Sequence, residues 1–504
     1  MKHINKIVLV AIMVFLGHSC SDLEEDTSSL LTLDRLGSEG DIEASLAPIY
    51  RELLTIEKDP QFARTTTFGG DDITTWSAGN KAPLRVFDRF DYGNGENSDI
   101  IWLPIAWDGY WKMIYYSNTL IKGLKTSTAS ESAIKLGDAE ARLFRALSYF
   151  NLVKRHGNVP IILEEDIPTG DEQRATVLLN YKHIEEDLLI AEASLPAPGL
   201  VAPGRASSTF AKALLADLYL TWGGWPVKDA SKYALAAAKS KEIIDLGYHT
   251  LLPINQLWLL SGQNSKESIF SLKFPDDKSV VNGYPTAFSF HQARGYSDVF
   301  PELQFFDDFP AGPRKDATFL LDIPNRSAPN NIITALNPAT KPWQSSDRQH
   351  PMYKKFVAGE DLIISSRPVS MRAIELYRYA EILLIYAEAQ ARIGENASSV
   401  EALNQVRRRA AGFPYLTPNA SVDLTTATVN QIIDEKGWEL AGECKRWFDL
   451  VRSERVEEIA AKRYPSETVT LERQPTKAQY IAPIPFASIS LSKLIQNPEG
   501  FKIQ

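Results

Sequence analysis

Apolar positions recur at the three-to-four spacing of a buried helix face over about residues 102–250 and again over about 372–460. In DAEARLFRALSYFNLVKRHG, Ala139, Leu143, Ala146, Leu147 and Phe150 share one face. Gly157 stands where helices commonly end in left-handed backbone, and Pro160 follows. SSTFAKALLADLYLTWGG aligns Phe210, Ala213, Leu214 and Leu218, with Ser208 or Thr209 as the N-cap. A Gly-Gly-Trp-Pro turn leads into KYALAAAKSKEIIDLG, which closes at Gly247. RAIELYRYAEILLIYAEAQARIG carries Leu376, Ala380, Leu383, Ala387 and Ala391 on one stripe, and SSVEALNQVRRRAAG continues after Gly394 as a second helix. Pairs of helices with alanine at the contact positions let backbones approach closely, as in stacked tetratricopeptide (TPR) repeats. The spacing is too irregular for a regular solenoid. The pattern predicts a mainly α fold, a TPR-like helical-hairpin scaffold with long insertions.

Those insertions, about 59–105 and 250–371, lose the helical period and are rich in Pro, Gly, Asn, Asp and aromatic residues. Loops of that length in a compact domain are functional or disordered, and the aromatic content argues against disorder. SIFSLKF and DLIISS read as short strands among them. The helices are expected to form the frame and the insertions its working surface.

The first residues follow another logic. Lys2 and Lys6 precede an unbroken apolar run, Ile7 to Leu16, well short of the ~20 residues that span a bilayer. The run fits the core of a secretory signal, with Gly17 and Ser19 just ahead of Cys20. Only Cys444 joins Cys20 in the chain, so a disulfide framework is not its purpose. Residues 1–19 are therefore expected to be a lipoprotein signal and Cys20 the acylated first residue, although His18 departs from the usual lipobox. Residues 20–38 read as an acidic tether and 39–504 as a single domain. The 504 residues carry a net charge of −9, which argues against a nucleic-acid binder. Arg407, Arg408 and Arg409 are the densest basic run and are expected on a solvated helix face.

Signatures of catalysis are weak. The seven histidines are dispersed, none at HxxxH spacing, so neither a metal nor a cofactor is expected. GLVAPGRAS misses a phosphate-binding loop, with Arg205 for the lysine and Ala206 for the hydroxyl. There is no GxSxG elbow. The acid doublets Asp71–Asp72, Asp276–Asp277 and Asp307–Asp308 do not by themselves make the facing carboxylates of a glycosidase. Binding has better support. The first insertion supplies Asp71, Asp72, Trp76, Asn80 and Arg85, then Asn97, Asp99 and Trp102; the second supplies Tyr284, His291, Arg294, Tyr296 and later Trp343. Flat rings suit the C–H faces of a sugar, and Asp, Asn and Arg suit its hydroxyls. The same aromatics would equally serve to fill the core beneath each loop.

Five motifs in order resemble the SusD/RagB family of outer-membrane lipoproteins of the Bacteroidetes, over essentially the whole chain. They are WDGYWKMIYYSNTLIKGL, with Trp107, Tyr110, Ile114 and Asn118; AEARLFRALSYFNLVKRHGNVPII, with Ala141, Arg145, Ala146, Tyr149, Leu152, Gly157 and Pro160; LYRYAEILLIYAEAQARIGE with ALNQVRRRAAG; DEKGWELAGECKRWFDLVR; and YIAPIPFASISLSKLIQNPEGF. Departures are Lys436–Gly437 for the usual arginine pair, Cys444 for glycine, and Glu499–Gly500–Phe501 near the end. The resemblance implies a surface-exposed lipoprotein that sits on a SusC-like TonB-dependent transporter and captures glycans, or in some members peptides, for import. An anchored glycosidase is the competing reading. The resemblance also gives Asp22, Glu24, Glu25 and Asp26 a role as an export signal. Arg145, Glu439, Arg446 and Asp449 are expected to hold helices together rather than touch ligand.

Overall fold

The structure, a computed structural model, describes residues 36–59, 65–91, 101–324, 340–357, 363–364, 367–471 and 473–497. The predicted signal, Cys20, most of the tether, Asn97 and Asp99 lie outside these residues. Ten helices form the frame: α1 (Glu39–Glu57), α2 (Leu103–Leu124), α3 (Glu131–His156), α4 (Val177–Ser194), α5 (Ser208–Gly223), α6 (Lys232–Asp245), α7 (Tyr379–Arg392), α8 (Asn396–Ala410), α9 (Val429–Glu439) and α10 (Arg446–Arg452). Each packs mainly on its neighbour from α1 to α6, and α6 then packs on α7, closing the frame across the second insertion. Between them β1 (Ser268–Leu272) pairs antiparallel with β2 (Ile374–Arg378), so the two ends of that insertion are stitched together.

Small residues set the helix spacing. Ala139, Ala141 and Ala146 of α3, Ala211, Ala213 and Ala216 of α5, and Ala380, Ala387 and Ala389 of α7 are fully buried. At Gly137 a Cβ would come within 2.5 Å of Ile42 in α1, so the crossing of α1 and α3 needs a residue without one. Caps mark the ends. Ser38 and Asp41 form a capping box at α1, and Gly157 closes α3 with φ of 70°.

The frame also buries many charges, each with a partner. Arg145 donates to both oxygens of Asp187 (2.7 and 2.8 Å), to Asn118 Oδ1 (2.7 Å) and to Glu164 (2.8 Å), tying α3 to α4 and α2. Glu439, on α9, accepts from Arg378, Arg409 and Arg314, the last at 3.2 Å. Asp449 takes Lys436 at 3.0 Å and Arg452 at 2.6 Å. The Arg145 and Glu439 contacts join separate elements, and Lys436–Asp449 ties α9 to α10, as expected of Arg145, Glu439 and Asp449.

Several expectations are corrected. Arg408 and Arg409 are 1% and 2% exposed. Arg408 is gripped by Glu401 of its own helix and by Asp423, and Arg409 by Glu439 and Glu267, so carboxylates rather than water surround these two. Leu376 lies in β2, because the helix starts only at Tyr379. The N-cap of α5 is Ser207, and its side chain makes no cap bond. Leu36 is already in the core and Ser38 caps α1, so the last residues of the predicted tether belong to the fold. Among the described residues, no helix is long and apolar enough to cross a membrane.

Candidate functional site

Two backbone hydrogen bonds bring the insertions together. Thr74 N–H donates to Phe300 O at 2.7 Å and Phe300 N–H to Thr74 O at 3.2 Å, an isolated antiparallel bridge. Two residues after Thr74 comes Trp76, followed by the turn Gly79–Lys81 and the short helix Ala82–Asp88. Upstream of Phe300, the chain from His291 to Ser297 folds back on itself. His291 N–H donates to Ser297 Oγ at 3.0 Å, and Gly295 N–H to Phe290 O at 2.9 Å. Arg294 and Ser297 take left-handed backbone there, with φ of 68° and 54°. A Cβ at Gly295 would lie 1.9 Å from Ser289 O, so this approach admits only glycine.

The bridge places aromatic and cationic side chains of both insertions on one face. The Arg348 guanidinium lies 3.4 Å from the centre of the Trp76 ring, a close cation–π contact. Arg348 Nη2 donates to His291 Nδ1 at 2.9 Å, and the neighbouring Asp347 carboxylate is 3.3 Å away. Burial first, and the Arg348 charge second, hold the His291 imidazole below its ordinary pKa. His291 is thus neutral near pH 7; with Nδ1 accepting, its proton sits on Nε2. Gln292 accepts the Asp347 N–H at 3.0 Å, fixing two stretches of the second insertion against each other.

Tyr296, 39% exposed, completes the face. The Arg367 guanidinium is 4.7 Å from its ring centre and Lys81 Nζ is 5.7 Å from it. Arg367 is exposed and donates to the carbonyls of Arg294 (3.0 Å) and Gly295 (3.3 Å). Lys81 forms a buried ion pair with Asp298, whose carboxyl burial pushes above its usual range while Lys81 opposes the shift. Arg85 donates to the carbonyls of Ser77 (3.0 Å) and Ala78 (2.7 Å), and Asn80 is exposed on the turn before it. Half-buried Trp343 sets its ring edge-on to Phe306 at 5.7 Å, five residues before Arg348.

Of the residues singled out in the sequence, Trp76, His291 and Tyr296 thus share this face, with Asn80 and Arg85 on the adjoining turn and helix. Others are placed elsewhere. Asp71 takes Arg446 at 2.7 Å, and Asp72, 2% exposed, accepts the Gly442 N–H at 2.9 Å. Both acids therefore tie the first insertion to the segment around α10. Tyr284 is 4% exposed, stacked on Phe288 and edge-on to Phe356, and so fills the core. Trp102 is half-buried against the core at the start of α2. Lys81, Arg348 and Arg367 escaped the sequence reading, because each lies in a different irregular segment and no period links them to Trp76 or Tyr296. Among the described residues, no group of three or more His, Cys, Asp or Glu could hold a metal ion.

Solved structures of SusD superfamily proteins share this fold. A SusD superfamily protein from Parabacteroides distasonis superposes with a TM-score of 0.76 at 24% identity, covering 91% of this chain and 99% of that one. Surface glycan-binding protein A from Bacteroides uniformis gives 0.75 at 22% identity, covering 92% and 100%. The SusD family model matches residues 313–500, and a second model, described as starch-binding and associating with the outer membrane, matches residues 41–220. SusD-like protein P2 of Formosa agariphila is 25% identical over 535 aligned positions, spanning 99% of this chain and 100% of that protein. The chain belongs to the SusD/RagB family.

Proposed function

We propose that the protein is a lipid-anchored, surface-exposed outer-membrane subunit that captures glycans and delivers them to a SusC-like TonB-dependent transporter, without cutting them. The observation that carries this reading is the shared face of Trp76, His291, Arg348 and Tyr296, built by two separate insertions on a rigid frame. Rings of this kind stack on the C–H faces of a sugar, while the His291 Nε2–H, the Tyr296 hydroxyl and the Asn80 amide offer hydrogen bonds to its hydroxyls. The name of the glycan-binding structural relative from B. uniformis and the starch-binding description of the family support the ligand class. Cys20, at the end of the signal-like apolar run, supplies the anchor.

Affinity electrophoresis in gels containing polysaccharide tests the reading. Purified protein should be retarded by at least one polysaccharide with no release of reducing ends, and Trp76→Ala should weaken retardation about tenfold, the size of a lost stacking contact with its hydrogen bonds. Release of reducing sugar would favour a glycosidase, and undiminished retardation of Trp76→Ala would place the ligand elsewhere.

A further inference from the structure

We infer that the ligand is an anionic glycan, one bearing carboxylate or sulfate groups. This inference rests on the capture reading above and narrows its substrate class. The chain as a whole is acidic, with net charge −9, yet its candidate face is cationic. Four cations among the described residues belong to it or to its adjoining turn and helix: Lys81, Arg85, Arg348 and Arg367. Of the described carboxylates, Asp298 and Asp347 pair directly with these cations. Asp298 is consumed in the buried pair with Lys81, and Asp347 accepts from Arg348.

Arg85 and Arg367 have a different status. The hydrogen bonds of Arg85 go to the carbonyls of Ser77 and Ala78, and those of Arg367 to the carbonyls of Arg294 and Gly295. No ion pair to a described carboxylate is formed by either. Carbonyl oxygens orient a guanidinium without neutralising it, so both side chains keep a full positive charge. Arg367 holds that charge at the surface, exposed, over the Tyr296 ring. Arg85 holds it one helical turn beyond Lys81, beside the segment that carries Trp76. A guanidinium fork matches the paired oxygens of a carboxylate or sulfate. Spaced between sugar-stacking rings, such forks fit a polymer that alternates apolar C–H faces with acidic substituents. A neutral glucan would leave both charges to water and gain nothing from them.

The test is affinity electrophoresis of the full mature chain on two sets of polysaccharides. Polygalacturonate and alginate carry carboxylates alone, and carrageenan and dextran sulfate carry sulfate alone; dextran and laminarin are neutral; poly-L-glutamate is the non-sugar polyanion. Retention by at least one acidic glycan, exceeding that by the neutral ones at least tenfold, is expected, and which acidic set retains the protein separates carboxylate from sulfate. Binding should weaken several-fold between 50 and 500 mM NaCl, as pairs at an exposed face are screened. Arg367→Gln should lose about tenfold in affinity, the worth of one charge-assisted bond, and Arg367→Lys should recover part of it. Arg85→Gln should act in the same direction, and because Arg367 is exposed its variants are expected to melt like the parent chain. Preferential retention by a neutral glycan would overturn the inference and leave capture intact. Acidic retention unaffected by Arg367→Gln and Arg85→Gln would also overturn it, as would equal retention by poly-L-glutamate. Retention by nothing in the panel would overturn the capture reading itself.

Discussion

Gly295 shows how little tolerance the face has at single positions. Its backbone passes so near Ser289 O that an added Cβ would sit at 1.9 Å. Gly295→Ala must therefore push the turn from His291 to Ser297 aside, taking Tyr296 and the carbonyls that hold Arg367 with it. Forced repacking of this kind costs about 1–3 kcal/mol. The variant should lower the unfolding free energy measured in urea by that amount and lose polysaccharide retention, whereas a variant that binds normally would show that the turn is not needed. Residue identity was only partly legible in the sequence. Trp76, His291 and Tyr296 could be named because aromatic rings and imidazoles in irregular segments stand out. Asp71, Asp72 and Tyr284 look the same on paper but serve the interior, since burial depends on what Arg446, Gly442 and Phe356 bring from far along the chain. The arginine run at 407–409 misled for a related reason: Asp423 and Glu439, which pair with Arg408 and Arg409, lie outside their helix.

Among the elements, α3 carries a titratable latch at its C-terminal end. His156 is 1% exposed, and its Nδ1–H donates to Pro483 O at 3.0 Å. Asn497 donates to His156 O at 2.8 Å, so the last described residues of the chain are fastened there. Burial, reinforced by the Arg155 charge, holds the imidazole down to about 3. The unfolded chain, with an ordinary histidine near 6.5, then binds a proton that the folded one refuses between about pH 6.5 and 3. Stability from this group is complete above pH 6.5 and drains as the pH falls. Between pH 7 and 5 the contribution is about 2 kcal/mol. Urea unfolding at the two pH values should show a drop that is smaller by this amount in His156→Gln, and equal drops in both proteins would refute the latch. The helices themselves were the most legible part of the sequence, because a 3.6-residue period and a terminal glycine are local signals. The start of α7 was not. Its apolar stripe runs unbroken through Leu376, and only pairing with β1 makes that residue a strand.

For the molecule as a whole, the critical joint is Arg463. Its guanidinium, 6% exposed, reaches Asp88 Oδ1 at 2.7 Å and Thr74 Oγ1 at 2.9 Å in the first insertion, and Glu302 at 2.8 Å in the second. Burial already pushes the Asp88 and Glu302 carboxyls upward, and the arginine is what opposes it. Arg463→Met would strand two buried acids, at a cost of about 3–5 kcal/mol. The loss should be greatest at high pH, where neither acid is protonated. Polysaccharide retention should fall as well, although Arg463 is not part of the face, because Thr74 anchors one side of the bridge. A variant with lowered stability but full retention would show that the face holds its shape alone. That two insertions combine to make one surface was invisible from composition, which treats each segment separately.

The pairing of Thr74 with Phe300 has a consequence for how specificity can change over time or be transplanted in the laboratory. On the capture reading proposed above, neither loop owns the recognition surface; half of the grammar is written near residue 76 and half near residue 296, with a two-bond seam as the binding of the book. A chimera that imports one loop from a relative inherits an incomplete sentence, so new cargo preferences must be acquired by swapping both stretches as a matched set.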